Sequence, residues 1–398
     1  AVRVGGSDNT TSVTLSGTKV SGQVVNYNKT ATITGLPSGT TVITALVSSA
    51  DELENALAVN DSYIVLVDDI NVGVSGSTNH SVIISGISVT IDFNGHTITN
   101  VGAQIAFYVT GSDTVVNLYD NGDGAGGIYG GSGGNNMALR VDAGATVNIY
   151  GGNYSVGPDA SNLGNSCLEC GSNAGNGNLN IYGGRFSTEA AYNGWYYVLN
   201  LVQTQGADGT ITVYGGEFVN YNPVLGDDKL GGNFVADGYK VVERTDGTYE
   251  VVAEEAEVTG DDIAAIYYYN NGVASKAEVY AASGLTNAIG GGYSDIVLMN
   301  DITTADRLTI SSAESDVDLT IDLGGYTLTS TESGGYVFLI LGCDTSNAYT
   351  PYKYSIDLTI KNGEIITSVD QSYAVDIRSK SDNVKVSLSD LKMTAVWG

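Results

Sequence analysis

Val147-Asn148-Ile149-Tyr150-Gly151-Gly152-Asn153-Tyr154 returns as Leu179-Asn180-Ile181-Tyr182-Gly183-Gly184-Arg185-Phe186 and again as Ile211-Thr212-Val213-Tyr214-Gly215-Gly216-Glu217-Phe218. No gap separates the copies, and the offset is 32 residues both times. Apolar residues alternate along each copy, so one face of a strand is committed to an interior. Gly-Gly then marks a turn whose torsions exclude a residue with a Cβ. The aromatic that follows opens the next face, where it can stack on its counterpart one repeat away. Strands stacked in this way rise by about 4.8 Å per repeat, the ordinary interstrand spacing. A fixed period of this length predicts a repeat architecture, here an all-β right-handed parallel β-helix.

Working outward, Val89-Thr90-Ile91-Asp92-Phe93-Asn94-Gly95-His96-Thr97-Ile98 and Val115-Val116-Asn117-Leu118-Tyr119-Asp120 are earlier relatives of the phrase. A longer duplication overlies them. Ala50-Asp51-Glu52-Leu53-Glu54-Asn55-Ala56-Leu57 before Tyr63–Ile70 corresponds to Ala282-Ser283-Gly284-Leu285-Thr286-Asn287-Ala288-Ile289 before Asp295–Ile302, at an offset of 232. Each unit therefore opens with a short amphipathic helix, with Leu53/Leu57 and Leu285/Ile289 four apart on the covering side. Such helices protect the first unpaired strand edge. Gly231–Val252 reads as a hairpin turning at Asp246-Gly247, and Glu254-Glu255-Ala256-Glu257 as a joint. The expected division is an N-terminal β arm over 1–45, a first unit over 46–255 and a second over 256–398. The second unit ends near Val384–Leu388 without a cap phrase, which predicts a covering partner chain or an incomplete chain.

Composition agrees with many short strands: 53 glycines, 4 prolines and only 15% charged residues in 398. The formal charge of −28 repels a phosphate backbone, so nucleic acid is not an expected partner. No run approaches the ~20 apolar residues of a membrane span. Cys167, Cys170 and Cys343 form neither a disulfide framework nor a zinc site by spacing. They read as buried small hydrophobes or loop thiols.

Ile-Tyr-Gly-Gly-x-Phe, the segment Val235–Val252 and the helix before Tyr63–Ile70 resemble the pectin-lyase-like β-helix modules of gut bacterial surface proteins. Similar solenoids occur in fibres and spikes of tailed phages, and the resemblance covers about 46–398. Polysaccharide-cleaving members of that fold carry carboxylate clusters with Arg or Lys, or an Asp-Asp, a Gly-His-Gly and an Arg-x-Lys. Here Gly95-His96-Thr97 departs from that pattern, Arg-x-Lys is missing, and Asp68-Asp69, duplicated as Asn300-Asp301, reads as a turn-and-cap pair. Asp120, Asp123, Asp227-Asp228 and Asp261-Asp262 read as solvated turns. No catalytic, metal or cofactor residues are assigned.

Two aromatic patches stand out: Tyr192, Trp195, Tyr196 and Tyr197, and Tyr267, Tyr268 and Tyr269. Rings beside Asn and Asp suit carbohydrate stacking, and inter-repeat or subunit packing is the competing reading. The functional expectation is a non-enzymatic virion protein of a tailed phage, a head-fibre, decoration or tail-fibre component. It would be a homotrimer anchored to other virion proteins through residues 1–45 and would bind surface or mucus glycans. A bacterial cell-surface adhesin is the alternative, and a polysaccharide lyase or hydrolase the third.

Overall fold

A computed structural model describes residues 2–4, 12–14, 24–26, 32–34, 42–73, 80–102, 104–132, 134–158, 165–172, 175, 177–189, 191, 196–202, 209–226, 233–270, 273–331, 336–346, 349–368, 373–380 and 382–395. The chain is all-β with parallel sheets and two short helices, and it divides into compact units Ala1–Phe234 and Val235–Gly398.

In the first unit, successive repeats send one strand each into three parallel sheets. The first sheet runs Ala45–Val47, Tyr63–Leu66, Ser88–Asp92, Val115–Tyr119, Thr146–Ile149, Asn178–Ile181 and Thr210–Val213. Next in each repeat come the second-sheet strands, from Ile70–Val72 through Thr97–Asn100, Gly127–Tyr129, Asn153–Val156 and Arg185–Thr188 to Gly216–Val219. The third sheet takes His80–Ser85, Ile105–Thr110, Met137–Asp142, Ser166–Cys170 and Leu199–Leu201. Residues 32 apart in the quoted phrase are paired directly: Val147 with Leu179, Leu179 with Ile211, Tyr154 with Phe186, Phe186 with Phe218.

The turn works as its composition predicts. Gly184 and Gly216 sit at φ +110° and +106°, and a Cβ on either would come within 3.0 Å of the carbonyl of the previous repeat's glycine. A side chain is excluded there by both torsion and space. The aromatics beyond are fully buried and stacked, Tyr154 on Phe186 at 5.2 Å and Phe186 on Phe218 at 5.0 Å between centroids. Apolar burial and ring stacking thus share one column, which carries much of the unit's stability.

Helix Ala50–Ala58 is capped by Ser49, whose side chain accepts from the Glu52 amide, while the Glu52 carboxylate accepts from the amide and hydroxyl of Ser48. It buries Leu53, Ala56 and Leu57. Its duplicate, Ala282–Gly290, begins 232 residues later but buries Gly284, Leu285 and Ala288, with Ile289 only half covered. Gly284 lies too close to the Ala264 carbonyl for a Cβ, and Ala288 is buried as its counterpart Ala56 is.

The hairpin forms as read, Tyr239–Arg244 against Thr248–Ala253 with Gly247 at φ +84°. It belongs to the second unit, because its first strand also pairs antiparallel with Ile263–Asn270 (Val241 opposite Tyr267). Lys240 ties the acidic run back to it, donating to the carbonyls of Glu254 and Ala256. From Val273–Val279 onward the second unit becomes parallel, through Asp295–Leu298, Val317–Asp322, Ile356–Thr367 and Val384–Ala395. In the last pairing the buried residues Ile360 and Ile365 face Leu388 and Met393, which are 42% and 49% exposed. A buried column therefore meets solvent on the last strand.

Candidate functional site

Three ladders line the half-exposed face of the first sheet. Asn148 donates to Asn117 and Asn180 to Asn148, both at 2.9 Å, and Thr210 donates to Asn178 at 2.8 Å. Tyr119, Tyr150, Tyr182 and Tyr214 stack nearly parallel, with centroids 4.4, 4.9 and 4.9 Å apart. Tyr150 and Tyr182 are exposed, at 40% and 43%, and Tyr119 and Tyr214 half-buried, but the ring faces are turned to each other. They present edges and hydroxyls outward, so an inner ring of the ladder has no free face for a sugar. Each stacked pair contributes about 0.5–1.5 kcal/mol, which makes the ladder a brace first.

The aromatic patches expected from sequence fare differently. Tyr192 and Trp195 lie outside the described residues. Tyr196 and Tyr197 are half-buried at the entry to Leu199–Leu201, where their carbonyls accept from the Val198 and Cys167 amides. Tyr267, Tyr268 and Tyr269 each pack against other side chains of the chain. Alternation along Ile263–Asn270 turns Tyr267 inward, 1% exposed, where it donates to Glu243 and stacks on Tyr293. Tyr268 has the ammonium groups of Lys240 and Lys276 against its ring at 5.8 and 5.4 Å, and its hydroxyl bonds Glu278. Tyr269 packs edge-on to Tyr293, with the two hydroxyls in contact.

A buried polar cluster on the third sheet has no counterpart in the sequence reading. Tyr108, Arg140, Glu169 and Asn200 occupy one register row. Arg140 forms an ion pair with Glu169, whose other oxygen accepts from Asn200 at 2.9 Å. Asp142, 1% exposed, accepts from Tyr108 at 2.9 Å and Ser172 at 2.7 Å. Burial pushes the Glu169 carboxyl up, against the opposing pull of Arg140. The cluster is only partly satisfied, since Arg140 Nε and Asp142 Oδ1 are buried without a hydrogen-bond partner among the described residues. Its members lie 32, 29 and 31 residues apart, so no constant offset betrays them in the sequence.

The Gly-adjacent acids brace corners. Asp92 accepts from the amides of Asn94 and Asn121, and Asp120 from those of Gly95 and Gly126. Asp69 accepts from the Thr97 amide at 2.8 Å and its duplicate Asp301 from the Thr327 amide at 2.7 Å. The two units thus reuse one corner bond. Asp69→Ala and Asp301→Ala are each expected to cost about 0.5–1 kcal/mol in urea unfolding, the low end for an exposed hydrogen bond, and to add in the double variant. Asp262 pairs with Arg244, and Asp227-Asp228 lie outside the described residues.

Cys167, Cys170 and Cys343 are buried free thiols, and burial pushes Cys167 and Cys170 up to about 12, which suppresses thiolate chemistry. Among the described residues, no three His, Cys, Asp or Glu side chains converge as a metal site, and no helix is long and apolar enough to cross a membrane. No family model, no curated protein and no solved structure matches the chain.

Proposed function

We propose that the strand triplets close as a right-handed parallel β-helix in each unit. On that scaffold we base the reading of a non-enzymatic virion structural protein of a tailed phage, displaying a glycan-binding surface. The observation that carries the scaffold reading is the unbroken in-register stack: one strand per repeat enters each of three sheets, over a buried column of Tyr154, Phe186 and Phe218. Bracing by Asn and Tyr ladders supports a rigid display role, because side chains spent on neighbouring repeats are unavailable for turnover. The phage assignment rests on the resemblance of the repeat phrases. The anchor role rests on the different, Thr/Ser/Gly-rich character of residues 1–45.

The test is incorporation. Removal of residues 1–45 is expected to abolish assembly of the protein into particles, read by blotting purified virions. Undiminished incorporation overturns the anchor role. Release of reducing or unsaturated ends from a polysaccharide by the purified chain overturns the non-enzymatic reading, and loss of that release in Glu169→Gln would place the chemistry at the third-sheet cluster.

A further inference from the structure

At the corner between the second and third sheets of the first unit lies a cavity of about 430 Å³, lined by Thr99, Gln104, Tyr129, Asn136 and adjoining residues of the same turns. Its volume is in the range that holds a small ligand. No lining side chain is charged, in a chain whose net charge is −28. The walls are held in place by bonds that leave groups free for a ligand. Asn100 and Asn136 both donate to the Gly130 carbonyl, at 3.0 and 3.2 Å, and Asn100 also accepts from Ser81. The Asn136 amide is held in turn by Asn165. Gly131, at φ +88°, lets the turn pass against Asn100 and Asn136, where a Cβ would collide with the Asn100 carbonyl.

Three features then face the cavity. Asn136 keeps its side-chain carbonyl, and Gln104 its whole amide, without a partner among the described residues. Tyr129 is half-buried and, unlike the ladder tyrosines, has no ring stacked on it among the described residues. Val101 adds an exposed apolar rim. An aromatic face beside fixed amides is complementary to a pyranose ring, whose C–H face is apolar and whose hydroxyls both donate and accept. Among the lining residues there is no carboxylate for a cation and no cation for an anion, and Glu189 acts on Tyr129 from nearby.

We propose that this corner binds a neutral saccharide, the pyranose lying on Tyr129 with its hydroxyls on Asn136 and Gln104. The proposal rests on the glycan-binding reading above and narrows it to uncharged sugars, since the overall field repels sialylated or uronic-acid chains. The test is titration calorimetry of the full chain against cellotriose, chitotriose and trigalacturonate. One neutral trisaccharide is expected to bind and trigalacturonate not to. Tyr129→Ala is expected to weaken that binding about tenfold, the scale of one lost stacking contact, while Tyr129→Phe stays within about twofold. Thermal unfolding of each variant controls for folding. A neutral trisaccharide that binds Tyr129→Ala with unchanged affinity overturns the pocket and leaves the glycan reading standing. Binding of trigalacturonate alone overturns the neutral class. Failure of the intact chain to bind these probes, together with failure to adhere to mucin, overturns both.

Discussion

Phe186→Ala is expected to destabilise the first unit by about 3–5 kcal/mol, the cost of emptying a buried aromatic site. Phe186 is fully buried, with Tyr154 stacked on one side and Phe218 on the other, so truncation removes two ring contacts as well as apolar burial. The neighbours cannot collapse into the space, because Gly184 and Gly216 fix the turns on either side against the preceding carbonyls. Phe186→Leu retains most of the volume and is expected to cost less than half as much. Urea unfolding followed by far-UV circular dichroism reads both values. Equal, small losses for the two variants would mean that the stack is not the column that holds the repeats together.

Tyr267→Phe is expected to cost about 1–3 kcal/mol, and more at neutral than at acid pH. Glu243, 3% exposed, receives hydrogen bonds from Tyr267 and from Asn287, the latter at 2.8 Å. Burial raises the Glu243 carboxyl above its ordinary value, with the bonds from Tyr267, Asn287 and Tyr249 opposing the rise. The folded chain therefore holds this proton after the unfolded chain has released it. The stability contributed by the protonated carboxyl is complete below the unfolded value and is lost as pH rises through the folded one. Glu243→Gln stays neutral throughout, so its stability relative to the wild type should improve as pH rises above the ordinary carboxyl value. Glu169 is raised by burial in the same direction, which is why the difference between variant and wild type is the informative quantity. A pH-independent difference would mean that Glu243 binds its proton equally in the folded and unfolded chain.

Which parts of this were legible beforehand follows from how constant the spacing is. The Tyr-Gly-Gly phrase recurs at a fixed 32 residues, so the pairing of Val147, Leu179 and Ile211, the positive-φ glycines and the buried stack could all be read from it. The duplicated helices and the acceptors Asp69 and Asp301 follow from the offset of 232, while their donors Thr97 and Thr327 lie 230 apart. The polar cluster and the corner cavity sit where spacing varies. Arg140, Glu169 and Asn200 share a row only because corners of different length bring strands back into register. Likewise, the corner cavity joins residues near 100 to residues near 130, where Gly126-Gly127 and Ile128-Tyr129-Gly130-Gly131 stand at offsets other than 32 from the quoted phrase. Tyr267–Tyr269 could not be placed for another reason: three consecutive rings look like a patch, yet Tyr267 is buried, and Lys240 of the hairpin and Lys276 of Val273–Val279 lie against Tyr268.

The stacked-repeat account is tested most directly by excising one repeat. Removal of residues 153–184 joins Gly152 to Arg185, takes one strand from each of the three sheets, and places Phe186 where Tyr154 had packed beside Phe93. Every remaining strand keeps an in-register partner. The shortened chain should retain its far-UV strand signal per residue and unfold in a single cooperative transition. Removal of residues 153–168, half a repeat, breaks the register of all three sheets and should leave the first unit unfolded. If the two deletions behave alike in urea unfolding, whether both fold or both fail, the repeats are not interchangeable layers of one stack.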